Sequence, residues 1–204
     1  GAILAAAQYA NQFKWSPDFG DLAGDSLDAI EEEARRSARI LRAMLAFSRE
    51  ESSERWREDL KSVLYRATRA VQSEEREREV EIVMSLTRED VEAIISPIEI
   101  EQVVINLLRN SMQAGSSVIV IGLDIVAMSR ARITISDDGP GLGELSSEAA
   151  FSLFFTTRDG EGSGLGLAVA REIVKDHGGE IELAQSDVDG AVFHVDLPLA
   201  EVAV

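Results

Sequence analysis

Between positions 162 and 167 the chain reads Gly162-Ser163-Gly164-Leu165-Gly166-Leu167 and then passes directly into a helix-like segment over 168–177. Alternating glycines interrupt any strand or helix that tries to run through them, so the stretch must be exposed backbone ahead of a helix. Such backbone offers several free N–H groups, and the helix start adds roughly half a positive charge. Phosphates sit well there. About 25 residues earlier, Ile133-Thr134-Ile135-Ser136 alternates apolar and polar as a strand does, and it ends in Asp137-Asp138-Gly139-Pro140-Gly141. A carboxylate buried at a strand end is costly unless it meets a donor, so Asp137 needs one. One place for phosphates and one for a donor-bearing ring point to a nucleotide.

Charge limits the partners. The 204 residues carry 37 Asp+Glu against 20 Lys+Arg, a net −17, which repels phosphate backbones and makes nucleic acid an unexpected partner. Cysteine is absent, which excludes disulfides, thiolate metal sites and cysteine nucleophiles. No apolar run approaches the roughly eighteen residues of a membrane span, and the first residues lack the basic start of a signal peptide. The expected location is cytoplasmic.

In chain order, residues 1–13 read as the end of a helix, and 14–25, with Pro17, Gly20 and Gly24, as a connection. Leu27, Ile30, Ala34, Leu41 and Leu45 form one stripe of a second helix over 26–47. The hairpin's stripe is narrow. It can be buried by a second copy, as a four-helix bundle, or by docking on the chain's own second domain. Leu60, Val63, Leu64, Ala67 and Val71 mark an amphipathic helix. Short strands are expected at 80–84 and 91–95 with an acidic turn between them, then a helix from Pro97 to about Ala114 stopped by Gly115. Strands follow at 117–127 and 131–136, a polar segment over 142–161 around Phe151, Phe154 and Phe155, and a closing hairpin at 180–184 and 191–197. The fold class is α+β: a mixed sheet under one helix layer, a two-layer α/β sandwich preceded by a helical hairpin. The domain boundaries are 1–52 and 53–204.

Within the 97–114 helix, Asn106 and Asn110 lie one turn apart on one face, with Gln102 and Gln113 near them, while Val103, Val104, Leu107 and Leu108 take the other. Asparagine costs about 0.7 kcal/mol relative to alanine in a helix interior, so a pair on one face calls for a purpose. Amide oxygens are hard ligands of the kind Mg²⁺ accepts, beside water and phosphates. The bland alternative is a solvated polar face.

Taken together, the run from Glu101 to Asn110, then Asp137-Asp138-Gly139-Pro140-Gly141, then Phe154-Phe155-Thr156-Thr157-Arg158, then the 162–167 stretch resemble the N box, first glycine box, F box and second glycine box of sensor histidine kinases. Order and intervals agree over about 56–198. The hairpin resembles, more weakly, the family's dimerisation and phosphoacceptor domain. The resemblance implies a Bergerat (GHKL) ATP-binding fold, ATP and Mg²⁺ as cofactors, a receiver domain of a response regulator as partner, and a homodimer through the hairpin. It implies that Asp137 accepts from the adenine amino group, that Gly139 and Gly141 admit the ring, and that Asn110 binds Mg²⁺ with Asn106 beside it. It assigns Thr156 and Thr157 to the nucleotide-binding lid. Gly162, Ser163, Gly164, Leu165, Gly166 and Leu167 supply the phosphate loop, and Arg158 a lid cation. Phe154 and Phe155 anchor the lid or are plain core.

Several positions depart from the family pattern. Relatives that hydrolyse ATP carry a glutamate where Asn106 stands, and an amide cannot be a general base near neutral pH. Phosphoryl transfer is therefore expected over hydrolysis. The family's acceptor motif, His-Glu-x-x-x-Pro-Leu, is missing: only His177 and His194 occur. His177, before Gly178-Gly179, is expected to close a helix as an imidazolium, and His194 to sit on a strand surface. Neither is an acceptor candidate, so the acceptor is expected upstream of Gly1. Asp138 replaces the more usual asparagine and is expected to add charge beside the phosphates. Around Gly190 the usual glycine-threonine pair is missing, which puts that support of the nucleotide in question. The glycine spacing is not the dinucleotide pattern, and no Walker lysine is present. Alternative readings are a nucleotide-switched protein-binding regulator and a GHKL-type ATPase.

Overall fold

The computed structural model describes residues 2–13, 15, 19, 23–31, 34, 54–74, 80–127, 129–141, 147–152, 155, 164–184 and 190–200. The chain divides into two compact units, Gly1–Ser48 and Arg49–Val204. In the first, helix α1 (Ala2–Gln12) brings Tyr9 against Phe13 just past its end, with ring centroids 5.0 Å apart and the rings tilted by 53°. Residues 23–31 are helical, with Leu27 exposed. Leu41 and Leu45 of the expected stripe lie outside the described residues.

The second unit is a five-stranded sheet in the order β2-β4-β5-β7-β6, made of β2 (Glu81–Leu86), β4 (Val118–Ala127), β5 (Arg130–Asp137), β6 (Glu180–Ala184) and β7 (Val192–Pro198). The β2/β4 pair is parallel and the others antiparallel, so the sheet is mixed. Helices α2 (Leu60–Glu74), α3 (Pro97–Gln113) and α5 (Gly166–Asp176) pack side by side, with the short α4 (Ser147–Ala150) before α5. A separate two-stranded sheet joins β1 (Trp56–Asp59) to β3 (Glu92–Ile95).

Alternation decides which side of the sheet is covered. Along β5, Ala131, Ile133, Ile135 and Asp137 are buried, while Arg132, Thr134 and Ser136 are only partly so. Phe193, Val195 and Leu197 of β7 share the buried face. From the helix layer, Ile100, Val103, Val104, Leu107 and Leu108 of α3 are fully buried. Each such side chain contributes about 1.5–3 kcal/mol. On the other face Arg132 and Asp196, directly opposed across β5/β7, form a two-pronged pair at 2.7 Å on both arms, and hydrogen bonding to Asp196 raises the Arg132 pKa.

Two features go beyond what the sequence pattern indicates. The 80–84 and 91–95 strands do not pair across their acidic turn: β2 lies beside β4 and β3 beside β1, in different sheets. Moreover, the segment at Trp56 opens with a strand before its helix, and Asp59 at the junction caps α2 by accepting from the N–H groups of Lys61 and Ser62.

Candidate functional site

Period two carries Asp137 onto the helix-covered side of β5, under α3, at 7% exposure. Three protein donors meet it. Oδ1 accepts from the backbone N–H groups of Gly139 (3.0 Å) and Ala191 (3.2 Å), and Oδ2 accepts from the Ser111 hydroxyl at 2.6 Å. The last distance is in the range of a charge-assisted O–H···O⁻ bond. Ser111, fully buried on α3, was not among the residues singled out from the sequence. The signal was available: a serine on the buried stripe of a helix competes with the backbone unless its hydroxyl has a partner elsewhere.

Glycines let the chain close around this carboxylate. A Cβ on Gly139 would lie 2.7 Å from the Ser116 hydroxyl and 3.0 Å from Asp137 Oδ1. Gly190, at φ +114°, presses on the Asp137 carbonyl so closely that a Cβ would overlap it, and a Cβ on Gly141 would meet the Gly190 carbonyl at 2.8 Å. These glycines thus admit neighbouring backbone as well as any ligand. Gly190 also places Ala191, whose N–H reaches Asp137, so the stretch without the glycine-threonine pair still supports the carboxylate.

Asp138 turns elsewhere. Its Oδ1 accepts from Ser117 N–H at 2.7 Å and Val118 N–H at 2.9 Å, and these bonds to the start of β4 lower its pKa. The carboxylate thus anchors the start of β4.

Asn106, one turn before Asn110 on α3, donates from Nδ2 to the Gly166 carbonyl at 3.2 Å, and its Oδ1 accepts from Gln102 at 2.8 Å. Gly166 opens α5, so Gly166 and Leu167 belong to the first helical turn rather than to the loop before it. Leu165 is the N-cap residue, buried, and among the described residues no side chain caps the helix; Gly164 precedes it at φ +62°. The first N–H groups of α5 are thus left for another acceptor. Arg158, Thr156, Thr157, Gly162 and Ser163, with Phe154, lie outside the described residues. Phe151 is core: its ring meets Phe193 edge-on at 6.3 Å, with Arg171 over it at 5.8 Å.

Helix α3 is therefore the common rail. Asn106 meets the start of α5 and Ser111 meets Asp137, about 7.5 Å apart along the axis, with half-buried Asn110 between them in height and angle. Among the described residues no group of three or more His, Cys, Asp or Glu is arranged to hold a metal.

His177 is a structural neighbour of this rail. Its Nδ1–H donates to the Ile173 carbonyl at 2.7 Å, and its Nε2 accepts from Ser96 N–H at 3.0 Å, at the start of α3. Accepting at one nitrogen requires the neutral ring, and burial pushes the pKa down. The expected imidazolium is corrected to a neutral imidazole. Gly178 (φ +69°) and Gly179 do close the helix, donating to Lys175 and Val174 carbonyls. His194 faces the outer side, 3.3 Å from Glu182.

Residues 95–201 match the family model described as histidine kinase-, DNA gyrase B-, and HSP90-like ATPase. The chain is 29% identical over 180 residues to the sensor protein FixL of Bradyrhizobium diazoefficiens, covering 86% of this chain and 35% of that protein. It is 32% identical over 182 residues to the C4-dicarboxylate transport sensor protein DctB of Rhizobium meliloti, covering 87% and 29%. The chain spans about a third of the length of these curated relatives. The catalytic domain of the histidine kinase ThkA resembles it at TM-score 0.63 and 28% identity, over 72% of this chain and 98% of that one. A structure of ThkA in complex with the response regulator protein TrrA gives TM-score 0.79 at 25% identity, over 98% and 58%.

Proposed function

This chain belongs to the histidine kinase-, DNA gyrase B-, and HSP90-like ATPases, and from that premise we propose that it is the ATP-binding catalytic region of a two-component sensor histidine kinase. Its reaction moves the γ-phosphoryl of ATP to a histidine: the bond to the β-phosphate oxygen breaks as a bond to an imidazole nitrogen forms, leaving ADP. Relay to an aspartate of a receiver domain follows, in the cytoplasm, with the helical hairpin of 1–52 pairing two copies. The observation that carries this reading is α3 itself, which meets a buried, donor-clad carboxylate through Ser111 and the start of α5 through Asn106.

Asp137 accepts from the adenine amino group, with Gly139 and Gly141 lining the ring side. The N–H groups of Gly164, Leu165, Gly166 and Leu167 receive phosphate oxygens, with Gly162, Ser163, Thr156, Thr157 and Arg158 completing the lid and loop. Asn110, beside both, holds Mg²⁺, which supplies charge neutralisation at the phosphates when bound. Asn106 keeps α5 in place through Gly166 and has no basic group with which to activate water. Transfer depends on positioning and charge, so slow hydrolysis accompanies it. The missing acceptor motif makes this chain a donor that does not phosphorylate itself; His177 is enclosed and holds Ser96.

Calorimetric titration with ADP and Mg²⁺ tests the reading. Wild-type chain binds, and Asp137→Asn loses at least about tenfold, the equivalent of one charge-assisted hydrogen bond. Equal affinity of the two proteins rules the site out. A helical peptide bearing the acceptor histidine then separates a kinase, which labels it, from a nucleotide-switched regulator, which binds without transfer.

A further inference from the structure

We infer that His177 is a proton-operated latch on the point where the chain enters the second unit. Neutral, it fastens the start of α3 to the end of α5 and leaves that helix end to Arg55. Protonated, it releases α3 and displaces Arg55. The inference involves neither nucleotide contacts nor phosphoryl transfer, and it stands apart from the reading given above.

Three segments meet at this imidazole, whose side chain is fully enclosed. On α5, the helix it ends, Nδ1–H donates to the Ile173 carbonyl at 2.7 Å. On α3, the N–H of the N-cap residue Ser96 donates to Nε2 at 3.0 Å, and Glu99 Oε2 lies 3.7 Å from the same nitrogen. From the chain entry just ahead of β1, Arg55 donates through Nη1 to the carbonyl of Asp176, one residue before the ring, at 2.8 Å. A carbonyl can only accept and a backbone N–H can only donate. The two ring bonds together therefore admit a single tautomer, with the proton on Nδ1 and the lone pair on Nε2.

A second proton has one place to go, Nε2. There it meets the Ser96 N–H donor against donor, so that bond has to open. The Glu99 carboxylate is the acceptor within reach of the new N–H. The new charge also arrives at a helix C-terminus, where a cation is favoured. Arg55 fills that role while the ring is neutral. Two cations at one helix end repel, and Arg55, exposed on a flexible stem, is the one able to leave. Burial weighs most against the imidazolium, and Arg55 opposes it as well; the Ile173 carbonyl, Glu99 and Asp176 favour it. The next cation along is Arg130 of β5, which donates to the Gly178 carbonyl at 3.4 Å. Coupling is reciprocal, so a guanidinium that disfavours the ring's proton is itself disfavoured by that proton. The latch is thus shut at neutral pH and opens in acid.

NMR of the whole chain from about pH 8 to about pH 5 tests this. The sequence holds two histidines, so His194→Gln leaves His177 as the single imidazole signal. Arg55→Gln identifies the Arg55 δ-methylene protons, which are distinct while the guanidinium is held and merge once it is free. The expected result is a ring that titrates below its ordinary 6.5, with the Arg55 signals merging at the same midpoint while the amides of β4 and β5 keep their folded positions. Arg55→Gln, an exposed change that spares the core, raises the midpoint, and Glu99→Gln lowers it. A midpoint that either variant leaves unmoved, Arg55 signals indifferent to the titration, or a ring that stays neutral throughout overturns the inference. So does loss of the sheet amides at that midpoint, since the change is then plain acid unfolding.

Discussion

His177 shows how much one buried side chain can govern. Unfolded, its imidazole titrates near the ordinary 6.5; folded, burial holds the pKa lower. Its contribution to stability is therefore complete above pH 6.5 and declines as pH falls through the window toward the folded value. Thermal melts from pH 7.5 to 5.5 are expected to show falling midpoints for wild type, and a flatter profile for His177→Ala. That variant also leaves Ser96 N–H buried without an acceptor, at a cost of about 1–3 kcal/mol at neutral pH. A parallel slope in the two proteins would refute the assignment. From sequence, the glycines after His177 announced the helix end correctly. The charge state was not legible, because it depends on Ser96, 81 residues distant in the chain.

Among the elements, the turn at Gly190 ties the last strand to the end of β5. Its φ of +114° and its closeness to the Asp137 carbonyl leave no place for a side chain. Gly190→Ala is expected to lower urea stability by at least about 2 kcal/mol and to weaken ADP binding as well, since Ala191 N–H is displaced from Asp137. Wild-type midpoints and affinity in that variant would show the turn to be slack. Alternation through Ile133 and Ile135 was enough to foretell that Asp137 faces inward, and the apolar side of α3 was equally plain. Ser111 gave a weaker signal than the asparagines of the same helix, being a lone hydroxyl on an apolar stripe whose partner lies 26 residues away. The Trp56–Asp59 strand escaped because its four residues are mostly charged and its partner, β3, lies over thirty residues away.

For the whole molecule, net charge −17 opposes every approaching anion. Salt screens that long-range repulsion over a Debye length of about 10 Å at 0.1 M, while close contacts in the pocket are screened less. Association of a fluorescent nucleotide, followed by stopped flow at fixed free Mg²⁺, is expected to quicken about two- to fivefold between 20 and 300 mM salt. Slowing instead would mean that a local positive field dominates. Architecture was legible as a mixed sheet with one helix layer. The parallel β2/β4 pair was not, since nothing local records which strand a crossover returns to. Strand β7 comes last of the five in chain order, yet it is an interior plank of the sheet, and β6 hangs from it alone. Birth order and spatial order are thus at odds: a nascent chain stalled before residue 192 holds a split sheet, and any truncation that removes 192–198 deprives β5 and β6 of their neighbour together.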